Sequence, residues 1–169
     1  RLGPLQRRVR MIVAADNPLG LQGLEDLRRP GLRLAARAPN TGTRVLLDEL
    51  LAARGIDAAS LATLPQLEPS HRAAAECVAS GAADVSFGIE AAAHARGLGF
   101  IPLAREHYFL VALRQTLDDP QVATLLTLLR SADWQQCLGA LPGYAAERSG
   151  EVLSLNRVLP WWRYRKPKR

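Results

Sequence analysis

An α/β fold is what the patterning of this chain predicts: a mostly parallel sheet covered by helices on both faces. Three observations carry the prediction. Short apolar runs at residues 10–15, 32–36 and 84–87 alternate with segments whose apolar residues recur every three or four positions. The helical segments carry start and stop signals, among them Gly55, Ser70 with Gly81, and the pair Asp119-Pro120. No repeat, low-complexity stretch or flexible linker interrupts the alternation before residue 156.

Taken in order, the apolar run at 10–15 reads as a strand ended by the turn Asp16-Asn17-Pro18. Leu21, Leu24 and Leu27 form a short helical face closed by Pro30-Gly31. After the strand at 32–36, a helix over 43–54 carries Val45, Leu46, Leu47, Leu50 and Leu51 until Gly55 stops it. Residues 56–69 are weakly patterned, with a strand expected near 64–67. Ser70 caps a further helix whose apolar face holds Ala74, Cys77 and Val78, with Gly81 beyond its end. The strand at 84–87 runs into Gly88, and an Ala-rich helix over 89–96 stops at Gly97. Residues 100–103 and 108–113 read as two separate strands. Asp119 and Pro120 open a helix bearing Val122, Leu125, Leu126 and Leu129; Ser131 opens another through Trp134 and Leu138, ahead of Pro142-Gly143.

The chain's 169 residues fit one ordinary domain with a real core, and 48% of them are hydrophobic. No apolar stretch approaches the roughly 18 residues that a membrane-spanning helix needs. The first residue is Arg rather than Met, which leaves room for sequence upstream, and no signal peptide is visible. Cys77 and Cys137 are too few for a disulfide scaffold and lack metal-ligand neighbours, so both read as small apolar fillers. Five of the six net positive charges fall on Arg163, Arg165, Lys166, Lys168 and Arg169. The body is therefore nearly neutral and gives no case for a nucleic-acid-binding face. The tail interleaves Trp161, Trp162 and Tyr164 with these cations, which suits either a solubilising terminus or a weak contact with nucleic acid or an acidic membrane.

In a parallel sheet the ligand sits beyond the carboxyl ends of the strands. Three strand-to-helix turns converge on that edge, at residues 39–44, 69–71 and 86–90. Each supplies a helix N-terminus and a small hydroxyl residue, the ingredients of an anion cup. Thr41, Gly42 and Thr43 are the leading candidates, through backbone N–H groups and hydroxyls, with Asn40 and Arg44 flanking them. Ser70, His71 and Ser86 complete the candidate set. A purely structural account exists for several: Asn40 or Thr41 as N-cap, Ser70 as N-cap, Arg44 turned to solvent, and His71 as an exposed residue in a first helical turn. Glu90 reads as dipole complementation, Asp84 as a local turn bond, and His94 and His107 as surface residues. No nucleophile elbow, HExxH, phosphate loop or dinucleotide fingerprint is present, so a non-catalytic protein without cofactor or metal is expected.

The residues that carry a family resemblance come in a fixed order. They are Asn17-Pro18, Leu24-Glu25-Asp26-Leu27, the run Thr41-Gly42-Thr43-Arg44-Val45-Leu46-Leu47-Asp48-Glu49-Leu50-Leu51, and Ser70-His71. Val78-Ala79-Ser80-Gly81-Ala82-Ala83-Asp84-Val85, Gly88-Ile89-Glu90-Ala91-Ala92-Ala93, and Phe100-Ile101-Pro102-Leu103-Ala104 with Tyr108 follow. Over about residues 9–150 the chain resembles the periplasmic-binding-protein-like domain found fused to molybdopterin biosynthesis proteins and to helix-turn-helix regulators. The resemblance implies a type 2 periplasmic-binding-protein-like fold: two α/β lobes joined by crossing strands, with a small anion in the cleft. Residues 1–155 would then supply mainly one lobe (the second), both hinge strands and the C-terminal helices, with the first lobe largely absent. Residues 156–169 form the basic aromatic tail.

The implied function is a binding or sensor domain for a molybdate- or tungstate-like oxyanion or a small organic anion, coupling capture to regulation. The alternatives are the solute-binding component of an importer and an interaction subunit with a vestigial cleft. A second copy of the chain or a partner domain would complete the cleft, and nucleic acid would be met only through a DNA-binding domain outside this segment. The expected compartment is the cytoplasm, or the periplasm if a signal peptide precedes residue 1. Where the family's turn carries a basic residue and a glycine, this chain has Pro39 and Asn40, which leaves Arg37 or Arg44 to supply the cation.

Overall fold

A computed structural model describes residues 2–159, with side chains from residue 8 onward. Residues 160–169, which carry most of the expected basic tail, lie outside the described residues. The strands are β1 (Leu2–Val13), β2 (Leu34–Ala35), β3 (Val85–Ile89), β4 (Gly99–Leu110) and β5 (Tyr144–Ala145). The helices are α1 (Gly42–Ala52), α2 (His71–Ala79), α3 (Glu90–His94), α4 (Pro120–Arg130), α5 (Ala132–Gly139) and α6 (Leu155–Val158). The chain divides into two compact units, Arg8–Glu106 and Arg1–Arg7 with His107–Arg169, and the boundary falls inside both β1 and β4.

In the unit Arg8–Glu106 the sheet order is β2-β3-β1-β4. β2 runs parallel to β3, pairing Leu34 with Val85 and Ala35 with Ser86. On its other side Leu34 of β2 makes a parallel bridge to Thr63, and Arg37, just beyond β2, makes one to Glu68, so the strand expected near 64–67 reduces to two isolated pairings. The two-residue period of the strands then sorts side chains to opposite faces. Met11, Val13, Leu34, Val85 and Phe87 meet Leu24, Leu27, Leu47, Leu51, Ile56 and Leu61 on one side. Ile12 and Ala35 meet Ala75, Val78, Ala83 and Ala93 on the other. Full burial of a leucine such as Leu51 stabilises the unit by about 1.5–3 kcal/mol. The sheet is thus covered on both faces, α1 on one and α2 with α3 on the other.

Three expectations change. The sheet is mixed, because β1 lies antiparallel to β3, with Val9 opposite Ile89 and Val13 opposite Val85. Alternating strands and helices dictate parallel pairing only for strands joined by a helical crossover, as β2 and β3 are; β1 has no such constraint. The two strands expected at 100–103 and 108–113 are one continuous strand, β4. Its middle carries the polar Arg105-Glu106-His107, of which Arg105 and His107 are exposed, so the strand keeps its charges in water without breaking. Leu21 and Leu27 are buried as expected, but the turn of helix there is a 3-10 segment, Leu24–Arg28.

In the other unit, α4 and α5 start at the expected caps: Asp119 accepts from the Gln121 amide and Ser131 from the Trp134 amide. Leu129, Leu138 and Leu153 are its buried apolar residues among those described. Arg130 Nε donates to the Gly150 carbonyl at 2.9 Å, and Trp134 Nε1 donates to Ser149 Oγ at 3.0 Å. β5 adds to β1 antiparallel, opposite Gln6 and Arg7. Cys137 on α5 is exposed, so it fills no core; the helix turns that position outward.

Candidate functional site

The parallel register decides where the expected turns go. β2, β3 and the bridged segment ending at Glu68 all run the same way, so their carboxyl ends share one edge of the sheet. α1, α2 and α3 therefore all begin there. Backbone bonds tie the first two turns together: the Glu68 amide donates to the Ala36 carbonyl at 2.8 Å, and the Ala38 amide donates to the Glu68 carbonyl at 3.2 Å. Arg37, only 6% exposed, lies under them, donating from Nε to the Glu68 carbonyl and from a terminal nitrogen to the Pro69 carbonyl. Its guanidinium is thus spent holding the two turns in place. Arg44, the other candidate cation, folds back along α1 onto Asp48 at 2.9 Å.

At the start of α1, Thr41 is the cap. Its hydroxyl donates to the Ala38 carbonyl at 2.9 Å and accepts from the Arg44 amide at 3.3 Å. Asn40 precedes it in a left-handed conformation, φ 65°, which asparagine tolerates better than most residues. Thr43 is buried and points to the core side of the helix. A Cβ on Gly42 would stand 3.6 Å from Glu106 Oε1, so a carboxylate already faces this helix N-terminus, complementing its dipole.

At the start of α2, Ser70 Oγ accepts from the Ala73 amide at 3.0 Å. His71, the first helical residue, packs against bare backbone: a Cβ on Gly88 would lie 3.4 Å from His71 Nδ1 and 2.8 Å from Ile12 Cδ1. Glycine at position 88 is what lets α2 settle on the end of β3. Ser86 is fully buried, and its hydroxyl donates to the Ala35 carbonyl at 2.8 Å, fastening β3 to β2 beneath the turns.

α3 spans five residues and begins with Glu90, whose carboxylate is held by Arg10. Arg10 was not legible as a site residue. It is 6% exposed, reaches Glu90 Oε2 at 2.8 Å, and lies 4.5 Å over the Phe100 ring. The one available signal was Arg8-x-Arg10, two cations at strand spacing. Arg8, Arg10 and Arg105 line a groove of about 410 Å³ together with Pro102, Leu103 and Ala104. Behind α2, Cys77 Sγ donates to Glu68 Oε1 at 3.1 Å. Burial, and then the neighbouring Glu68, push its pKa up to about 11. Asp84 bonds not locally but to Arg33, 51 residues away. It accepts from the Arg33 amide and guanidinium, which hold its carboxyl below the usual range. No group of His, Cys, Asp and Glu side chains among the described residues could hold a metal ion.

The model of the PBP superfamily domain matches residues 3–130. The uncharacterized protein YvgK of Bacillus subtilis is 35% identical over 147 residues, 87% of this chain and 47% of its own length. The chain thus spans about half of that relative. Among solved structures, the substrate-binding domain of a putative molybdenum ABC transporter from Clostridium difficile superposes with a TM-score of 0.54. It is 16% identical, and the match covers 85% of this chain and 64% of that one. The sulfate-binding protein SubI of Mycobacterium tuberculosis gives a TM-score of 0.51 at 20% identity, covering 68% and 49%. No described helix is long and apolar enough to cross a membrane.

Proposed function

The chain belongs to the PBP superfamily, and on that premise we propose that it is a non-catalytic module that captures a small anion at the carboxyl edge of its sheet. One observation carries the reading: β2 and the parallel-bridged segment ending at Glu68 bring the N-termini of α1 and α2 to one edge, where Arg37 ties their turns together. Backbone N–H groups at such ends favour negative charge without further residues. The two solved neighbours are named for molybdenum transport and sulfate binding, and both names fit an anion at this edge. Asn40, Thr41, Gly42, Ser70 and His71 are the groups at hand; Thr43, Arg44 and Ser86 hold the frame. Capture by such a module would be read out through a segment or partner that completes the cleft, as in a regulator or an importer.

A specific observation favours a second reading, an interaction subunit whose cleft no longer takes solute. Glu106 faces the start of α1 and Glu90 opens α3, so internal carboxylates occupy places where an anion would be expected. Thermal unfolding with molybdate, tungstate, sulfate, phosphate and small carboxylates separates the two. A ligand at 100 times its dissociation constant adds about 2.7 kcal/mol, a shift of several degrees. A selective shift, weakened by Thr41→Ala, supports anion capture; no shift with any anion supports the interaction subunit.

A further inference from the structure

The groove on β1 and β4 has a composition of its own. Three guanidiniums line it, from Arg8, Arg10 and Arg105, and no acid does. Arg10 is bound to Glu90, whereas Arg8 and Arg105 are exposed and make no ion pair among the described residues. Two positive charges are therefore uncommitted. Pro102, Leu103 and Ala104 supply an apolar wall beside them. The register fixes where this lies: Val9 opposite Ile89 is the last pair of β1 with β3, so Arg8 stands just beyond the end of β3. That is the edge at which α1 and α2 begin.

We propose that this groove is the binding site for a small organic dianion, with Arg8 and Arg105 as the recognising cations and Arg10, held by Glu90, as a fixed part of its wall. The proposal rests on the anion-binding reading and names the ligand class for it. Charge sets the valence, since two free guanidiniums match two negative charges and Glu90 cancels the third. Volume sets the organic part. About 410 Å³ lies within the range of roughly 300–1,000 Å³ typical of small-molecule pockets, and a bare tetrahedral oxyanion would leave most of it empty. Geometry favours planar or tetrahedral oxygens, because the arginine fork pairs with carboxylate or phosphate through two parallel hydrogen bonds. A dicarboxylate and a phosphate monoester share this chemistry.

Titration calorimetry on the purified protein tests the proposal with succinate, glycerol 3-phosphate, sulfate, molybdate and acetate, each at low and high salt. Succinate or glycerol 3-phosphate binds more tightly than acetate and than either inorganic dianion, and the two organic probes tell carboxylate from phosphoryl. Arg8→Gln and Arg105→Gln each weaken that binding about tenfold or more, with unfolding midpoints unchanged because both side chains are exposed. Binding that ignores both substitutions yet weakens in Thr41→Ala overturns the groove and leaves anion capture standing. Tighter binding of sulfate or molybdate than of the organic probes overturns the ligand class. If the unsubstituted protein binds none of the five, anion capture itself falls.

Discussion

Arg10 and Glu90, eighty positions apart, form a largely buried pair in which two guanidinium nitrogens converge on a single carboxylate oxygen at 2.8 Å while the guanidinium covers the Phe100 ring. β1 carries one partner and the first residue of α3 the other, so the pair joins the sheet to the helix layer. Removing one member of such a pair leaves a desolvated charge. Glu90→Gln is expected to destabilise the protein by about 3 kcal/mol in urea unfolding, and Arg10→Met with Glu90→Gln to recover much of that loss. A single-variant cost below about 0.5 kcal/mol would mean that the pair is solvated in solution.

Ser86 is expected to act on stability alone. Its hydroxyl bond to the Ala35 carbonyl is fully buried, so Ser86→Ala should cost about 1–2 kcal/mol, and any anion-induced shift should persist unchanged. Loss of the ligand response at full occupancy of the folded state would place Ser86 in contact with ligand instead.

Thr41 and Ser70 are both helix caps, which makes them a matched pair for separating capping from binding. Each alanine variant should lose about 1 kcal/mol of stability. Hydrogen exchange should report faster opening at the Arg44 amide for Thr41→Ala and at the Ala73 amide for Ser70→Ala. Whichever variant also loses anion affinity beyond its stability change marks the helix that meets ligand.

Asp84 sets an acid dependence. Its carboxyl is held low by hydrogen bonds from the Arg33 side chain and amide, so the folded protein favours the ionised form. A depressed pKa stabilises above the ordinary carboxylate range and ceases to do so as pH falls through it and below. The midpoint difference between the native chain and Asp84→Asn should be constant from neutral pH down to about pH 5 and shrink as pH falls through the ordinary carboxylate range and below it. A difference that grows on acidification would contradict the pairing.

What the sequence disclosed was local. Thr41, Ser70, Asp119 and Ser131 are each recognisable as caps from their own neighbours, and each caps a helix. The three turns at one edge were also legible, because parallel crossovers leave little freedom. Long-range partners were not. Arg10 with Glu90, Asp84 with Arg33 and Ser86 with Ala35 join residues that only tertiary packing brings together, and a charged residue reads the same in sequence whether it faces water or a partner. The direction of β1 was hidden for a related reason. Strand periodicity records which face is buried and carries no sign for parallel or antiparallel pairing.

The thiol of Cys77 lends its hydrogen to Glu68, and with a pKa pushed up to about 11 only about one molecule in ten thousand carries the thiolate at pH 7. Alkylating dyes react with thiolates, so Cys77 is a nearly inert sulfur in the folded protein. Cys137 stands exposed on α5. Chemistry has thereby left one addressable atom in the native chain: a maleimide fluorophore added at neutral pH should settle on α5, giving an optical reporter without a single engineered residue.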